Sequence, residues 1–445
     1  MEKYKFGKER WSVLILFGLI GQISWAVENM YFNTFIFETV APDLSAITLM
    51  VQLSGVVATV ATLIAGTLSD KSGNRRSFIC FGYLIWGITV AAFGFLSPEL
   101  FSKLFSLEGE RAVRVTLVAV IVGDCVMTLF GSVANDASFN AWVTDNTTSG
   151  IRGKIEGVIS IFPLFAMLIV AGGFGILVKA LGYSTLFLIL GVLISGCGLL
   201  GIFMIKDSPS LSKNGRLRDI LYGFKPSVVK ANLPLYASLL VVLIYGVACQ
   251  IFMPYLIIYM SAYLGFSTVE YSVVFALAIL LGAAVNLYLT RISDRRDKTL
   301  FLCFATAIFS VGLLGMYFAR GFGSVGTLVA FGIAGFVMIC GYILISALAG
   351  SLVRDFTPVG DVGKLQGVRM VFSVLIPMTA GPLIGNAINK SMNVKLPNQD
   401  SPDAMTTEYI PAPEIFLAAA LTALILFAVI PLIRCTAGKA KRHLN

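Results

Sequence analysis

Three carboxylates sit deep within long apolar stretches of the sequence, away from the first few residues of each: Glu28, Asp124 and Asp136. A charge near the centre of a bilayer costs at least about 2.5–3.5 kcal/mol unless it meets water or a partner. Such residues therefore mark either a place where something is bound or a polar contact between helices. Glu28 lies 17 residues after Trp11 and 10 before Glu38. With a rise of about 1.5 Å per residue, that puts it close to the midplane of a spanning helix. Trp25, Asn29 and Asn33 follow one another at intervals of four, giving the same helix a polar and aromatic stripe. Asp136 and Asn140 share a face in the same way. The second half of the chain offers Gln250, at the position that echoes Asn29, and Arg369, its most deeply placed basic residue. Carboxylate, amide and guanidinium groups beside an indole suit a neutral polyol, whose hydroxyls use the polar partners while its apolar ring face stacks on Trp25. A hydrophobic compound would leave those groups unpaired, at roughly 1–3 kcal/mol each.

Each of these residues also has a structural reading. Glu28 and Asp124 fit polar contacts in the middle of a helix bundle, and Arg369 fits an interfacial arginine. Other chemistries find no support. The single histidine, His443, stands in the C-terminal tail, so no histidine metal site, proton relay or catalytic triad can be assembled in the apolar region. Six of the seven cysteines are dispersed through apolar segments without framework spacing and read as packing residues. Gly172-Gly173-x-Gly175 and Gly381-Pro382-x-x-Gly385 follow no strand and carry no P-loop lysine, so they serve close helix packing. The sequence implies no cofactor, no metal and no enzyme active site.

Positioning such groups takes a frame embedded in lipid. Of 445 residues, 57% are hydrophobic and 13% charged, more apolar surface than a water-soluble core of ordinary size can hide. Crossing about 30 Å of hydrocarbon takes about 18 mostly apolar residues. Stretches of that kind lie near 11–37, 45–66, 77–97, 112–141, 154–180, 183–205, 233–262, 268–290, 299–319, 325–351, 364–389 and 413–434. Lipid offers the backbone no hydrogen-bond partner, so each must be helical. The expected fold class is an all-α membrane protein of twelve transmembrane helices in two six-helix bundles. The apolar stretch after the basic N-terminus is longer than a signal-peptide core and lacks a small-residue cleavage site, so it reads as the first span. Threading the N-terminus inside places 26 of the 33 Lys and Arg residues on the cytoplasmic side, and the positive-inside rule then makes both termini cytoplasmic. The net charge of +9 is thereby an insertion signal. No basic run is interleaved with aromatics on a soluble face, so nucleic acid is not an expected partner.

The two halves echo each other, and self-similarity of this kind decides the architecture. Gly66-Thr-Leu-Ser-Asp-Lys-Ser-Gly-Asn-Arg-Arg76 and Arg291-Ile-Ser-Asp-Arg-Arg296 each stand between the second and third apolar segments of their own half. Val143-Thr-Asp145 with Gly153-Lys-Ile-Glu-Gly-Val158 recurs, at an offset of 210, as Val353-Arg-Asp355 with Gly363-Lys-Leu-Gln-Gly-Val368. The chain accordingly divides into a bundle over 1–205, a cytoplasmic linker over 206–232, and a second bundle with its tail over 233–445. Parallel six-helix repeats describe transporters that rock two bundles about a midplane site. The polar loops supply a cytoplasmic gate: Gly66, Asp70, Arg75, Arg76 and Asp145 in the first half, and Asp294, Arg295, Arg296 and Asp355 in the second. Asp70 is suited to accept from the N–H groups that open the eleventh helix near Gly363, and Arg75 or Arg76 to pair with Asp145 when that side is shut. Without that role they are solvated loop charges.

The loop Gly66-x-Leu-Ser-Asp70-x-x-Gly73-x-Arg75-Arg76 closely resembles the signature loop of the major facilitator superfamily, and with the weaker copy at 293–296 the resemblance covers essentially the whole chain. A narrower resemblance is to the glycoside–pentoside–hexuronide carriers, of which the melibiose carrier is a member. It rests on Asn29-Met-Tyr-Phe32 and on Asn135-Asp136-Ala-Ser-Phe139, followed by a polar loop with Asp145. It implies that Asp136 holds sugar hydroxyls, a task that suits a carboxylate because it accepts from two vicinal hydroxyls at once. Sodium-coupled members of that family carry paired aspartates on the second helix, whereas 45–65 contains no Asp or Glu. The coupling cation expected here is therefore a proton, carried by Glu28 and Asp136. The resulting expectation is a monomeric secondary transporter of the bacterial cytoplasmic membrane that takes up a small hydroxylated solute, such as a glycoside, by proton symport and alternating access. The alternatives are a proton-driven exporter of drugs or metabolites and, in another class, a non-transporting membrane receptor. The 33 phenylalanines fit a greasy cavity but face lipid equally well, and a receptor usually adds a soluble domain larger than the 206–232 interval.

Overall fold

The computed structural model describes residues 6–147, 155, 158, 159, 161–208, 217–293, 297–358, 362–397 and 405–442. Among these, twelve helices are long and apolar enough to cross a membrane. They are α1 (Lys8–Val40), α2 (Leu44–Ser72), α3 (Arg75–Phe93), α4 (Glu110–Asp145), α5 (Phe162–Leu181), α6 (Tyr183–Met204), α7 (Leu233–Tyr263), α8 (Thr268–Asn286), α9 (Lys298–Phe318), α10 (Gly323–Phe356), α11 (Leu365–Met392) and α12 (Glu414–Thr436). Each coincides with one of the apolar stretches of the sequence. The all-helical class holds with one addition between α11 and α12, a short antiparallel hairpin of β1 (Lys395–Pro397) and β2 (Met405–Tyr409), with Lys395 opposite Tyr409. Large apolar side chains such as Phe81, Val192, Phe203, Leu277 and Val325 point outward, a surface suited to lipid.

Local chemistry sets the helix ends that matter for the loops. Gly73 closes α2 in the left-handed region at φ 63°, where a side chain would be strained, and its N–H returns to Ser69 O at 3.1 Å. Asn74 then caps α3, accepting from the Ser77 N–H at 2.9 Å. The signature loop is thus a tight stop-and-start between two helices.

The chain forms two compact units, Met1–Ala41 with Val56–Leu217, and Pro42–Gly55 with Arg218–Asn445. In the first, α3 packs along α6 at Gly87 and Gly191, where a Cβ on either glycine would overlap the carbonyl of the other. Phe32 of α1 stacks on Phe93 of α3 with centroids 4.1 Å apart, and Phe35, Tyr183 and Phe187 complete the cluster. In the second unit, α9 packs on α10, and α7 on α11 and α12. Gly381 of α11 lies against Gln250, and Gly385 against Ile251 and Tyr255, as the Gly381-Pro382-x-x-Gly385 pattern implied. The opening of α2 belongs to this unit. Thr48 shares a hydrogen bond with Tyr255 OH at 2.7 Å, Tyr255 OH donates to Pro382 O at 2.9 Å, and Gln52 Nε2 donates to Thr379 O at 2.9 Å.

Overpacking a close helix crossing costs about 1–3 kcal/mol or more. Gly191→Leu should therefore lower the thermal unfolding temperature of the purified protein. Gly196→Leu, where the added side chain meets open space, should leave it unchanged.

Candidate functional site

The first unit gathers its polar groups along α4. Asp124, Thr128, Ser132, Asp136, Asn140 and Thr144 recur every fourth residue. Four residues of a regular α-helix turn past a full circle by about 40°, so such a stripe would spiral away from one face. Ser132–Phe139 is instead a π-helical stretch. Its slower winding turns the stripe back and keeps it aimed one way. Hydrogen bonds follow the stripe. Thr128 Oγ1 donates to Glu28 Oε1 at 2.9 Å, Ser132 Oγ to Asp136 Oδ2 at 3.1 Å, Asn140 Nδ2 to Asp136 O at 3.1 Å, and Thr144 Oγ1 to Asn140 O at 3.0 Å.

On α1, Glu28 opens a second π-helical stretch, Glu28–Phe32, and is 7% exposed. Asp124, one turn before the Thr128 that donates to Glu28, is 1% exposed. The Trp25 indole N–H lies within electrostatic reach of Asp136 but outside hydrogen-bond geometry, and its ring packs on Trp86 at 5.0 Å. Asn29 is exposed and donates to Trp25 O at 2.7 Å. Asn33 is placed differently: it is buried, with Nδ2 donating to Asn29 O at 3.0 Å, because residues 31–37 are enclosed without exception. Asp136 is half-buried and Asn140 exposed, so Trp25, Asn29, Asp136 and Asn140 are the candidates with open surface. Sequence reasoning passed over the role of Asn135. Its Nδ2 donates to Tyr83 OH at 2.6 Å, and Tyr83 OH donates to Phe17 O at 2.7 Å, tying α1, α3 and α4 together. Gly21 makes room for that knot, since a Cβ there would overlap Asn135 and Tyr83.

Gln250 and Arg369 belong to the second unit. Gln250 is half-buried on α7 against Gly381, and Arg369 is exposed on α11, just before the π-helical stretch Val371–Leu375, with Ser373 Oγ donating to its carbonyl at 2.8 Å.

The loop charges form an ion network within the first unit. Arg75, whose side chain is 6% exposed, reaches Asp145 Oδ2 through Nε at 3.0 Å, Ser69 Oγ through Nη1 at 2.5 Å, and Asp70 through Nη2. Arg76 donates to the carbonyl of Ile202, and Gly66 O accepts from Ser69 Oγ at 3.0 Å. Asp207, at the start of the 206–232 interval, joins this network. Its Oδ1 accepts from the Arg75 and Arg76 N–H groups at 3.1 and 3.0 Å, so a carboxylate sits on the positive end of α3. In the second unit Asp355 pairs with Lys298 at 2.6 Å, and the same ammonium donates to Ser351 Oγ at 2.8 Å. Asp294, Arg295 and Arg296 lie outside the described residues. Beside them, hydrogen bonds from Thr299, with help from Arg434, hold the Asp297 carboxyl below its ordinary pKa.

Residues 14–382 match the family described as the Major Facilitator Superfamily. Among solved structures, the chain is similar to the nucleoside transporter NupG, with a TM-score of 0.65 and 13% identity over 96% of this chain and 99% of that one. It is also similar to a bacterial homologue of the human lysosomal transporter Spinster, inward-facing and unoccupied, with a TM-score of 0.66 and 13% identity over 97% and 98% of the two chains. For a bacterial homologue of the iron transporter ferroportin, in the outward-facing state, the TM-score is 0.61 and the identity 14% over 98% and 99%. At these identities the likeness concerns the fold. No curated protein matches the sequence significantly.

Asp207→Ala removes the acceptor of two α3 amides, and losing a helix cap costs about 0.5–2 kcal/mol. Thermal unfolding of the purified protein should show that loss. Asp207→Asn, whose carbonyl oxygen still accepts, should recover most of it.

Proposed function

The chain belongs to the major facilitator superfamily and is a multi-pass membrane transporter, not an enzyme; within that frame we propose that it is a proton-coupled symporter of a small hydroxylated solute such as a glycoside. The observation that carries this reading is the polar face of the first unit. It combines a buried carboxylate, Glu28, with a half-buried one, Asp136; exposed Asn29 donates to the Trp25 carbonyl and exposed Asn140 to that of Asp136. Buried polar groups of this density favour a ligand rich in hydroxyls, because an apolar ligand would leave them unsatisfied. We assign substrate contact to Trp25, Asn29, Asp136 and Asn140, with Gln250 and Arg369 contributed by the second half and Asn33 supporting α1 from within. Glu28 and Asp136 are the proton carriers of this proposal.

Within the superfamily, the motifs Asn29-Met-Tyr-Phe32 and Asn135-Asp136-Ala-Ser-Phe139 support a place among the glycoside–pentoside–hexuronide type of carrier. The distribution of Lys and Arg supports both termini inside, in a protein that we place in a bacterial cytoplasmic membrane. We further propose that the halves 1–205 and 233–445 rock as the moving bodies of a monomer. In that cycle the Arg75–Asp70–Asp145 network and the Lys298–Asp355 pair hold one state of the cytoplasmic side.

In vesicles without sodium, an inward proton gradient should drive glycoside accumulation, and Glu28→Gln and Asp136→Asn should each abolish it. Strict sodium dependence at fixed pH would refute proton coupling. Binding to the purified protein is the complementary measurement, with a panel of glycosides and lipophilic cations. Asp136→Ala and Asn29→Ala should each weaken glycoside binding about tenfold or more, the order of one buried or charge-assisted hydrogen bond. Binding of the cations alone, equally by both variants, would establish export instead.

A further inference from the structure

The connection between α3 and α4, at the end of α3 away from the signature loop, is itself helical. Between Phe93, where α3 ends, and Glu110, where α4 begins, the chain forms the short helix Pro98–Phe105. Its limits are built into the residues. Ser97 caps it, with Oγ accepting from the Leu100 N–H at 3.2 Å, Pro98 stands at the first helical position, and Ser106 stops it in the left-handed region at φ 52°. A helix shorter than about 12–15 residues is marginal in water unless a surface holds it. This one packs against α4, yet none of its residues is buried.

The helix has two faces. At the α-helical turn per residue, Leu100, Phe101, Leu104 and Phe105 fall on one side, and Glu99, Ser102 and Lys103 on the other. The apolar side is uncovered: Leu104 and Phe105 are 63% and 62% exposed, and the Phe101 ring stacks on that of Phe105 with centroids 6.0 Å apart. The same kind of surface continues onto the neighbouring spans, through exposed Phe95 just past α3 and exposed Val115, Val118 and Val122 on α4. Only residues 94–97 and 106–109 separate the helix from those two spans, so it is held at the level where both leave the hydrocarbon. Over 94–114 the charges are Glu99, Glu108 and Glu110 against Lys103, Arg111 and Arg114, three of each sign, and Arg114 pairs with Glu110 at 3.2 Å. The segment thus has no net charge to draw it to anionic headgroups, and apolar burial is the attraction left to it.

We infer that Pro98–Phe105 lies in the plane of the membrane interface. Leu100, Phe101, Leu104 and Phe105 enter the acyl-chain boundary of the leaflet at that end of α3, while Glu99, Ser102 and Lys103 face water. The partner of this surface is the lipid itself, and the helix anchors one end of the first unit whatever the substrate or coupling ion. A second copy of the chain suits the face less well, because two turns of helix fall short of the roughly 800 Å² per partner that a stable protein interface buries.

Nitroxide labelling of the full chain in phosphatidylcholine vesicles measures this placement. Cys125, Cys303 and Cys435 are changed to alanine, the other four native cysteines being buried. One new cysteine is then introduced at a time: Leu104→Cys, Phe105→Cys, Glu99→Cys or Lys103→Cys. Oxygen, which concentrates in lipid, and a water-soluble nickel chelate serve as collision partners. The ratio of oxygen to nickel collisions should be several times higher for Leu104→Cys and Phe105→Cys than for the other two, and added phosphatidylglycerol or salt should leave that contrast unchanged. Equal ratios at all four positions would overturn the inference. Exclusion of both reagents at Leu104→Cys, with dipolar broadening that fades when unlabelled chain is mixed in, would give the face to a second copy and overturn the lipid assignment. A contrast that appears only with phosphatidylglycerol and is lost in salt would overturn attachment by apolar burial. Because a label on the apolar face could itself alter the helix, the reverse experiment leaves that face unlabelled. Leu104→Glu combined with Phe105→Glu should make a label at Lys103→Cys more mobile, and an unchanged line shape would overturn the anchor.

Discussion

Lipid offers no hydrogen-bond partner to the helices that cross it, so a polar group turned away from any aqueous opening must find its partner within the protein. Most hydroxyls meet this demand locally. Ser24, Thr34, Thr116, Ser238 and Thr306 each donate to the carbonyl four residues back on their own helix. Such a bond is closed within one helix and asks nothing of its neighbours. The bond from Thr128 to Glu28 is different, because it joins α4 to α1, and the other carboxylate oxygen of Glu28 has no donor among the described residues.

The polar stripe of α4 depends on helix winding as much as on residue type. π-helical stretches are rare and concentrate at functional sites, yet here they occur in α1, α4, α5, α7 and α11. In α4 the stretch Ser132–Phe139 corrects the drift of a four-residue repeat, so that Asp124 and Asp136, three steps apart, belong to one stripe. Each extra residue in such a turn weakens the regular backbone ladder. The sequence repeat and the altered winding therefore make sense only together: either alone would scatter the polar groups around the helix.

The spans were legible because lipid imposes length and hydropathy directly, and the limits of α1, α6 and α9 fall within a few residues of the apolar stretches. The signature loop was legible because Gly73 and Asn74 carry turn and cap chemistry in their own side chains. Asp207 was hidden for the opposite reason. Its function as a cap on α3 joins residues more than a hundred positions apart, and nothing local distinguishes it from a linker charge. Asn33 had the right interval from Asn29, but interval alone does not report how fully a helix is surrounded at that level. Asn135 was quoted only as part of a motif, while its hydrogen bond to Tyr83 depends on Gly21 being small.

The duplication also shows what a repeat preserves and what it releases. Asp145 and Asp355 are echoes, and each is held by a cation, but Asp145 meets the guanidinium of Arg75 and Asp355 the ammonium of Lys298. A guanidinium is a planar fork with five donors, whereas an ammonium is a compact, strongly hydrated charge. Arg75 accordingly serves Asp145, Asp70 and Ser69 at once with only 6% of its side chain exposed, while Lys298 is 31% exposed and serves Asp355 and Ser351. The more exposed pair is the more screened, and ion pairs of that kind contribute about 0–1 kcal/mol. In the first network only Arg75 is enclosed, Asp145 and Asp70 being 26% and 44% exposed, so it is loss of the carboxylates that would strand a buried charge. The echo therefore keeps the position of an ion pair while giving the first half the more highly connected cation.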